Sequence, residues 1–417
     1  MTGLLDCNNF YVSCERVFDP SLNDRPVAVL SNNDGSCISR SNEFKALELP
    51  KRIPHYILKH YADKLGIIFR SSNYCLYGDM SNRVMNILDS MVPSVEQYSI
   101  DESFFHMDFA DDFDYEKFGT EIRKKVLRWT GIPCGIGFAK TKTLAKIANH
   151  IGKKLPSGIF VMPEEPLPIL DTLPLTEIWG ISWRMEKKLH SFGIRNAGDL
   201  ARSDSSDIKN KFNILLAQTV MELQGNASIP YEEFNGQVKR IAFSRSFNAP
   251  TDSAEYIKES VIHYTACAAE KLRSLKEAAS CIYIYAHYVS KYDGDEKLPG
   301  GYCGHVIGFP IPLTEHISMM KYIVPAIDKI IVRNRKAMKT GVVLFELSSA
   351  LKSNLDLFEQ SDEKNLDLAE TMDKINYKYG KGSIFLAGEG IEKKWSMKRK
   401  YLSRRFTTNW NEIPEVK

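Results

Sequence analysis

Two adjacent carboxylates in an otherwise strand-like run, Asp101 and Glu102, constrain this chain more than any other feature. Ile100 precedes them, and Phe104 and Phe105 follow. Asp and Glu are poor strand formers. Side by side among apolar neighbours they repel each other and lose hydration. A divalent cation removes both costs, because carboxylate oxygens are hard ligands that suit Mg²⁺. A third carboxylate, Asp6, ends the apolar pair Leu4 and Leu5 near the N-terminus. If Asp6, Asp101 and Glu102 meet across neighbouring strands, they hold two metals suited to phosphoryl transfer, with the backbone carbonyl of Cys7 as a further oxygen ligand. The same pair also suits a hairpin tip with both acids in water. The flanking segments bear on that choice.

After the short strand at 3–7, Asn8 and Asn9 break the run, and Phe10 and Tyr11 open a helix. Tyr11 would then lie close to the sugar of any nucleotide bound at the metals. Its ring would clash with a 2′-hydroxyl and select deoxyribose; Phe10 and Tyr11 as plain core is the other reading. Strands are expected at 26–30 and 36–40, joined by the turn cluster 31–35. A short helix follows at 42–47. Arg40 and Lys45 could face a triphosphate, Arg through a fork and Lys as a point charge; taken by themselves they read equally as ordinary solvated surface cations. Small residues such as Ser36 and Ser39 leave space over a base pair.

Bulk composition excludes little. A chain of 417 residues should hold two to four domains, and 43% apolar with 26% charged residues describes an ordinary soluble protein. The net charge is only +3, so any basic surface comes from local clustering. Eight isolated Cys with no C-x-x-C pair argue against zinc. Scattered Cys without a signal peptide suit a reduced, cytoplasmic setting. No apolar run approaches the ~20 residues of a membrane span.

Helices are expected at 79–91 and 118–129, a strand or hairpin carrying the acids at 95–105, and a Gly-rich strand at 132–139. A helix starts at 140 and a last strand lies at 159–161. The β-α-β-β-α-β order is ferredoxin-like, the usual shape of a polymerase palm.

Here the motifs become specific as a set. Asp6 with Phe10 and Tyr11, the 31–35 turn, Ser72-Asn73-Tyr74, Tyr98-Ser99-Ile100-Asp101-Glu102 and Lys140-Thr141-Lys142-Thr143-Leu144-Ala145-Lys146 occur in that order. Together they resemble the Y-family translesion DNA polymerases, most of all the UmuC-type catalytic subunit of bacterial DNA polymerase V. The similarity runs over nearly the whole chain. It implies an α+β multidomain, right-hand polymerase: ferredoxin-like palm (1–20 and 76–165), small fingers (21–75), helix-hairpin-helix thumb (166–238) and α/β little finger (239–350). It implies Asp6, Asp101 and Glu102 as ligands of two Mg²⁺ ions, Tyr11 as steric gate, and Lys45 and Lys153 on the incoming triphosphate. Many relatives carry Arg at Lys45 and Tyr at Asn42. Ser36 and Ile38 would roof the nascent base pair.

In the thumb, Gly180 makes a hairpin before a helix opened by Ser182. A Gly turn lets backbone N–H groups approach a phosphate, and a helix N-terminus favours an anion. A plain αα-turn is the other reading. Helices are expected at 175–180, 183–192, 194–200 and 212–223. Residues 239–350 repeat the β-α-β-β-α-β order. The resemblance places Arg245 and Ser246 of this domain along the DNA backbone. His263, His287 and His305 read as structural or solvated.

Residues 351–417 hold two further features. Asn354, Leu355, Leu357 and Phe358 resemble a sliding-clamp peptide, with Asn in place of the usual leading Gln. The stretches 393–400 and 404–406 interleave cations with aromatics, a composition that suits single-stranded nucleic acid, a solvated tail or a protein-docking segment. The resemblance further implies primer-template DNA, deoxynucleoside triphosphates, a UmuD-type accessory dimer and a recombinase filament as partners. A nucleotidyl cyclase, or a non-catalytic DNA-binding scaffold, is the alternative.

Overall fold

The computed structural model describes residues 1–50, 53–107, 113–231, 238–293, 296–298, 300–350, 363–393 and 395–414. The expected clamp peptide at Asn354, Leu355, Leu357 and Phe358 lies outside them. The chain divides into two units, one of Met1–Ser31, Ser36–Asn235 and Tyr401–Lys417, the other of Asn32–Gly35 and Gly236–Lys400.

In the first unit, β1 (Thr2–Cys7) leads through Asn9 into α1 (Phe10–Phe18). Asn9 has a left-handed φ of 49°, which Asn tolerates better than most residues. Then β2 (Val27–Leu30), β3 (Cys37–Arg40), α2 (Asn42–Lys45), α3 (His55–Leu58), α4 (Ala62–Leu65) and β4 (Ile68–Ser71) form a small three-stranded sheet, order β3-β2-β4, with its helices. Leu30, Phe44, Leu58 and Phe69 belong to its separate core. These elements fall within the span expected for the fingers, 21–75. The chain returns through α5 (Tyr74–Asp89), β5 (Ser94–Gln97), β6 (Glu102–His106), α6 (Tyr115–Thr130), β7 (Cys134–Ala139), α7 (Lys142–Gly152) and β8 (Ile159–Val161). With β1 these strands make a five-stranded sheet in the order β5-β6-β1-β7-β8.

The face that each residue takes follows from the two-residue strand repeat. Leu5 and Phe105 pack with Val12, Tyr77, Val84 and Val126. Leu4 and Phe104, on the opposite face, pack with Leu144, Ala145 and Ala148 of α7. Asp6 and Glu102 share that second face. Gly137 allows the helix so close: a Cβ there would lie 2.1 Å from the Asn149 backbone nitrogen.

The helix expected from residue 79 starts five residues earlier, at Tyr74, where the Asn73 side chain accepts from the Leu76 N–H at 3.4 Å. The apolar spacing alone does not reveal this first turn; the Asn73 cap sets where the helix begins.

The thumb contains α8 (Leu167–Leu170), α9 (Trp183–His190), α10 (Ala197–Arg202), α11 (Ser205–Lys211) and α12 (Ile214–Leu223). The helix expected at 175–180 is only a 3₁₀ turn, Leu175–Glu177. The polar α11 was not expected; its Asp204 cap accepts from the Asp207 N–H at 2.8 Å. Glu222, fully buried, accepts from the N–H groups of Thr143 (3.0 Å), Ser228 (2.8 Å) and Ile229 (3.1 Å). A carboxylate on the first turn of α7 complements the helix dipole and fastens the thumb to the palm.

The second unit holds β9 (Arg240–Thr251), α13 (Ala254–Ser274), β10 (Glu277–Tyr288), the ribbon β11 (Lys291–Asp293) and β12 (Glu296–Leu298), β13 (Gly301–Leu313), α14 (His316–Ala326), β14 (Ala337–Ser349) and α15 (Glu363–Tyr379). Its main sheet runs β13-β10-β14-β9, all antiparallel. α13 and α14 supply Val261, Ala268, Leu272, Met319 and Ile323 to the core beneath it. Helix α14 stops at Ala326 and is followed by a 3₁₀ turn, Ile327–Ile330.

The segment after β14 is fastened to α13. Arg273 donates through Nε and Nη2 to both oxygens of Asp373 (2.7 and 2.8 Å), Trp395 Nε1 donates to Glu259 (2.9 Å), and His263 Nδ1 meets Glu389 at 2.7 Å. Burial alone would lower the His263 pKa, but hydrogen bonds to Cys267 and Glu389 override it and raise it to about 9. The folded value therefore lies above the unfolded one. The stabilisation is complete below about pH 6.5 and is lost as pH rises through about 9. His263→Gln should cost about 2 kcal/mol at pH 6 and much less at pH 10, read as the gap in melting temperature from wild type at each pH. An equal gap at both values would mean that His263 acts only by packing.

Candidate active site

β1 and β6 place two of the predicted acids face to face, because Asp6 and Glu102 are directly opposed in the antiparallel ladder. Asp101 stands one residue before β6, on the bend that joins it to β5. Its carbonyl accepts from the Cys7 N–H at 2.9 Å, which locks the bend to the end of β1. Ser99 organises this bend. Its hydroxyl accepts from the N–H groups of Asp101 (3.2 Å) and Glu102 (3.0 Å) and donates to Asp101 Oδ1 at 2.7 Å. The run read as strand or hairpin is thus a hairpin whose acids sit at a strand start, pinned by β1.

The sheet face bearing the acids is covered by α7, and two lysines reach them. Lys153 Nζ lies 2.6 Å from Asp6, and Lys146 Nζ lies 2.9 Å from Glu102. Lys146 also stands over the rings of Tyr98 (4.4 Å) and Trp179 (5.1 Å). Burial drives the Asp6 pKa up; Lys153 opposes this, Glu102 and Asp101 add to it, and the net value is about 6. The carboxyl is short of positive charge even with an ammonium beside it. As the side chains stand, no three His, Cys, Asp or Glu residues among the described ones close on one point as a metal cage. Each acid is held instead by a lysine or by Ser99. In donor chemistry the set still fits a hard divalent cation: carboxylate oxygens crowded at one sheet edge, with an excess of negative charge.

A cleft of ≈ 670 Å³ opens over Asp6 and Asp101. Cys7, Phe10, Tyr11, Ile38, Arg40, Lys45 and Lys153 line it as the sequence suggests, together with Ser39, Asn9 and Tyr74. Glu102 lies in an adjoining cleft that shares Asp6 and Lys153. Tyr11 is half-buried; its ring stacks on Tyr77 at 4.5 Å and 16°, and Tyr74 meets it edge-on at 6.0 Å. Burial raises its hydroxyl pKa to about 12, so Tyr11 is a neutral phenol. Lys45 donates to Asn9 Oδ1 at 2.6 Å, and Asn9 Nδ2 donates to Asn42 Oδ1 at 2.9 Å. The Asn42 position thereby acts on Lys45 through Asn9.

Ser36 is not brought to this cleft. Its N–H donates to Ser31 Oγ at 3.1 Å, across the turn between β2 and β3. Phe10 lines the cleft but is only 3% exposed, so it is core as much as wall. Gly180 has a left-handed φ of 84°, which only glycine adopts freely. Ser182 caps α9 by accepting from the Met185 N–H. Arg245 and Ser246 are exposed on β9 of the second unit.

Sequence reasoning passed over Asn9, Tyr74 and Tyr77 as site residues and used Lys146 only within a motif. A helix turns once per 3.6 residues, so positions seven apart share a face. The seven-residue spacing of Lys146 and Lys153 was a usable signal for two cations facing the acids.

Known proteins resemble this chain over most of its length. The impB/mucB/samB family matches residues 5–150, the helix-hairpin-helix motif of the same family matches 165–194, and a domain of unknown function (DUF4113) matches 367–416. Protein UmuC of Salmonella typhimurium is 37% identical over the full length of both chains, and Protein SamB from the same organism 38%, also over both full lengths. DNA polymerase IV of Bacillus velezensis is 28% identical over 95% of this chain and 94% of its own. Among solved structures, a Y-family DNA polymerase chimera of Dbh and Dpo4 superposes with a TM-score of 0.66 at 21% identity, covering 83% of this chain and 98% of its own. A ternary complex of Dbh DNA polymerase gives 0.55 at 20% identity, over 82% and 98%. With 37–38% identity to UmuC and SamB over the full length of both chains, a matching fold and the opposed acids Asp6 and Glu102, this chain belongs to the UmuC-type branch of the Y-family translesion DNA polymerases.

Proposed function

We propose that this chain extends a primer 3′-hydroxyl with deoxynucleotides opposite damaged template bases, using the site at the ends of β1 and β6. The observation that carries this reading is the in-register opposition of Asp6 and Glu102, where Asp6 and Asp101 line a cleft walled by Arg40, Lys45 and Lys153 and Glu102 lines the cleft adjoining it. Two Mg²⁺ ions bound by Asp6, Asp101, Glu102 and the Cys7 carbonyl would activate the primer hydroxyl and stabilise the charge of the pyrophosphate leaving group.

The chain's own groups do the rest. Lys45 and Lys153 hold the triphosphate, with Arg40 as a forked donor beside them. Their fixed positive charge stabilises the in-line transition state more than the ground state, because more negative charge gathers on the phosphoryl oxygens there. The Tyr11 ring closes the space that a 2′-hydroxyl needs. Ile38 and Ser39 cover the base pair. The turn at Gly180 and the capped start of α9 hold a DNA phosphate without reading sequence. Arg245 and Ser246 follow the backbone, which makes binding sensitive to salt.

Asn354, Leu355, Leu357 and Phe358 would tether the enzyme to a sliding clamp, and a UmuD-type dimer and recombinase filament complete the partners of this reading. A cyclase would need neither the thumb nor the second sheet, and the named relatives favour a polymerase. The test is extension of a primed template across an abasic site, with and without clamp. Wild type should pass the lesion and be stimulated by clamp. Deletion of 354–358 should remove the stimulation and spare unstimulated synthesis. Equal loss under both conditions would reject the tether, and no extension at all would reject the polymerase assignment.

A further inference from the structure

We propose that the C-terminal segment 401–406, within the region of unknown function, is a positioning element for sugar selection: it holds Tyr77, and through Tyr77 the ring of Tyr11. The inference rests on the reading of Tyr11 as the sugar gate.

The contacts form a continuous series. At the end of β4, the Ser71 N–H donates to the Tyr401 carbonyl at 3.0 Å, and the Tyr401 N–H donates to Ser71 Oγ at 3.0 Å. Asn73, which caps α5, is 2% exposed. Its amide donates to the Ser403 carbonyl (3.3 Å), Ser403 Oγ (3.0 Å) and the Arg404 carbonyl (3.0 Å). Ser403 Oγ in turn donates to Glu15 Oε1 at 3.0 Å, and the same oxygen accepts from the Tyr77 hydroxyl at 2.7 Å. Three residues on, Phe406 stacks on Phe18 of α1 at 4.8 Å and 7°.

Glu15 is 1% exposed and Tyr77 fully buried. A carboxylate so placed needs every partner it has, because an unsatisfied buried charge is costly. Its remaining partner, the cation Arg70, is 3.9 Å away. Ser403 therefore fixes Glu15, Glu15 fixes the Tyr77 hydroxyl, and the Tyr77 ring backs Tyr11. The same segment ties down the first turn of α5, which carries both Tyr74 and Tyr77.

A steric gate depends on stiffness. A wall that yields by a fraction of an ångström admits the larger sugar without disturbing the smaller one. Loosening the backing should thus alter discrimination more than deoxynucleotide turnover, whereas a purely structural role would lower both together.

The test compares single insertions of a matched deoxynucleotide and its ribonucleotide counterpart on primed template. Four full-length variants are used: Tyr11→Ala, Ser403→Ala, Ser403→Thr and Phe406→Ala. The expected result is a fall in the deoxy-to-ribo ratio of kcat/KM by about five- to tenfold for Ser403→Ala and Phe406→Ala. The fall should come through a lower KM for the ribonucleotide, with deoxynucleotide kcat within about twofold of wild type. Ser403→Thr keeps the hydroxyl and should retain the wild-type ratio. If Tyr11→Ala relaxes sugar choice while Ser403→Ala and Phe406→Ala do not, the positioning role is wrong and the gate stands. If Tyr11→Ala leaves the ratio unchanged, the gate reading fails and this inference with it. Parallel loss of both insertions in the tail variants would also overturn the proposal.

Discussion

Asp101→Ala should lower nucleotide incorporation by about three orders of magnitude or more, measured as single-nucleotide extension of a primed template. The substitution leaves the apolar core intact. Asp101 stands on a bend whose geometry is set by its backbone: its carbonyl accepts from Cys7 and its N–H donates to Ser99. Both contacts survive truncation of the side chain. What is lost is one carboxylate of the three, plus the hydrogen bond from Ser99 Oγ. Fold and DNA affinity should therefore hold within a few-fold while chemistry fails. Affinity measured by fluorescence anisotropy separates the two. Unchanged incorporation would remove Asp101 from the chemistry.

Tyr11→Ala should raise ribonucleotide insertion by about a hundredfold, with a much smaller change for deoxynucleotides. Steric exclusion is a one-sided interaction. The smaller sugar gains little when the wall is removed, while the larger one loses its clash. The half-buried ring leaves a stacking partner, Tyr77, that is itself held by Glu15, so the site should not collapse into the space. Tyr11→Phe should behave like wild type, because the phenol hydroxyl has no part in the exclusion. Competition between labelled ribo- and deoxynucleotides on one template measures the ratio directly. A Phe variant as permissive as the Ala variant would mean that the hydroxyl, not the ring, makes the selection.

Much of this architecture follows from local pattern. The strand at 2–7, the acid-bearing hairpin and the Gly-rich strand at 134–139 are visible as short apolar runs with turn residues between them. The second α/β domain is visible in the same way. Errors gather where local preference is weak. The first turn of α5 falls outside the helix expected from residue 79; Asn73 caps it, and Ser403 and Arg404 occupy the Asn73 amide. α11 has no apolar stripe to announce it. The helix expected at 175–180 is reduced to a single turn by its packing, with Leu175 and Ile178 in the core shared with α7.

The candidate site divides in the same way. The sequence alone placed Asp6 at the end of a short strand and Asp101 and Glu102 in a strand or hairpin, so that Asp6 and Glu102 would face one side of a sheet if directly opposed in a strand pair. The two-residue strand repeat leaves no other choice. Only the tertiary structure decided which cations answer those acids, that Ser36 turns away from the cleft, and that a tail almost four hundred residues downstream braces the ring beside them. Such contacts depend on where loops close and which buried polar groups still need a partner. Neither is written in the spacing of neighbouring residues.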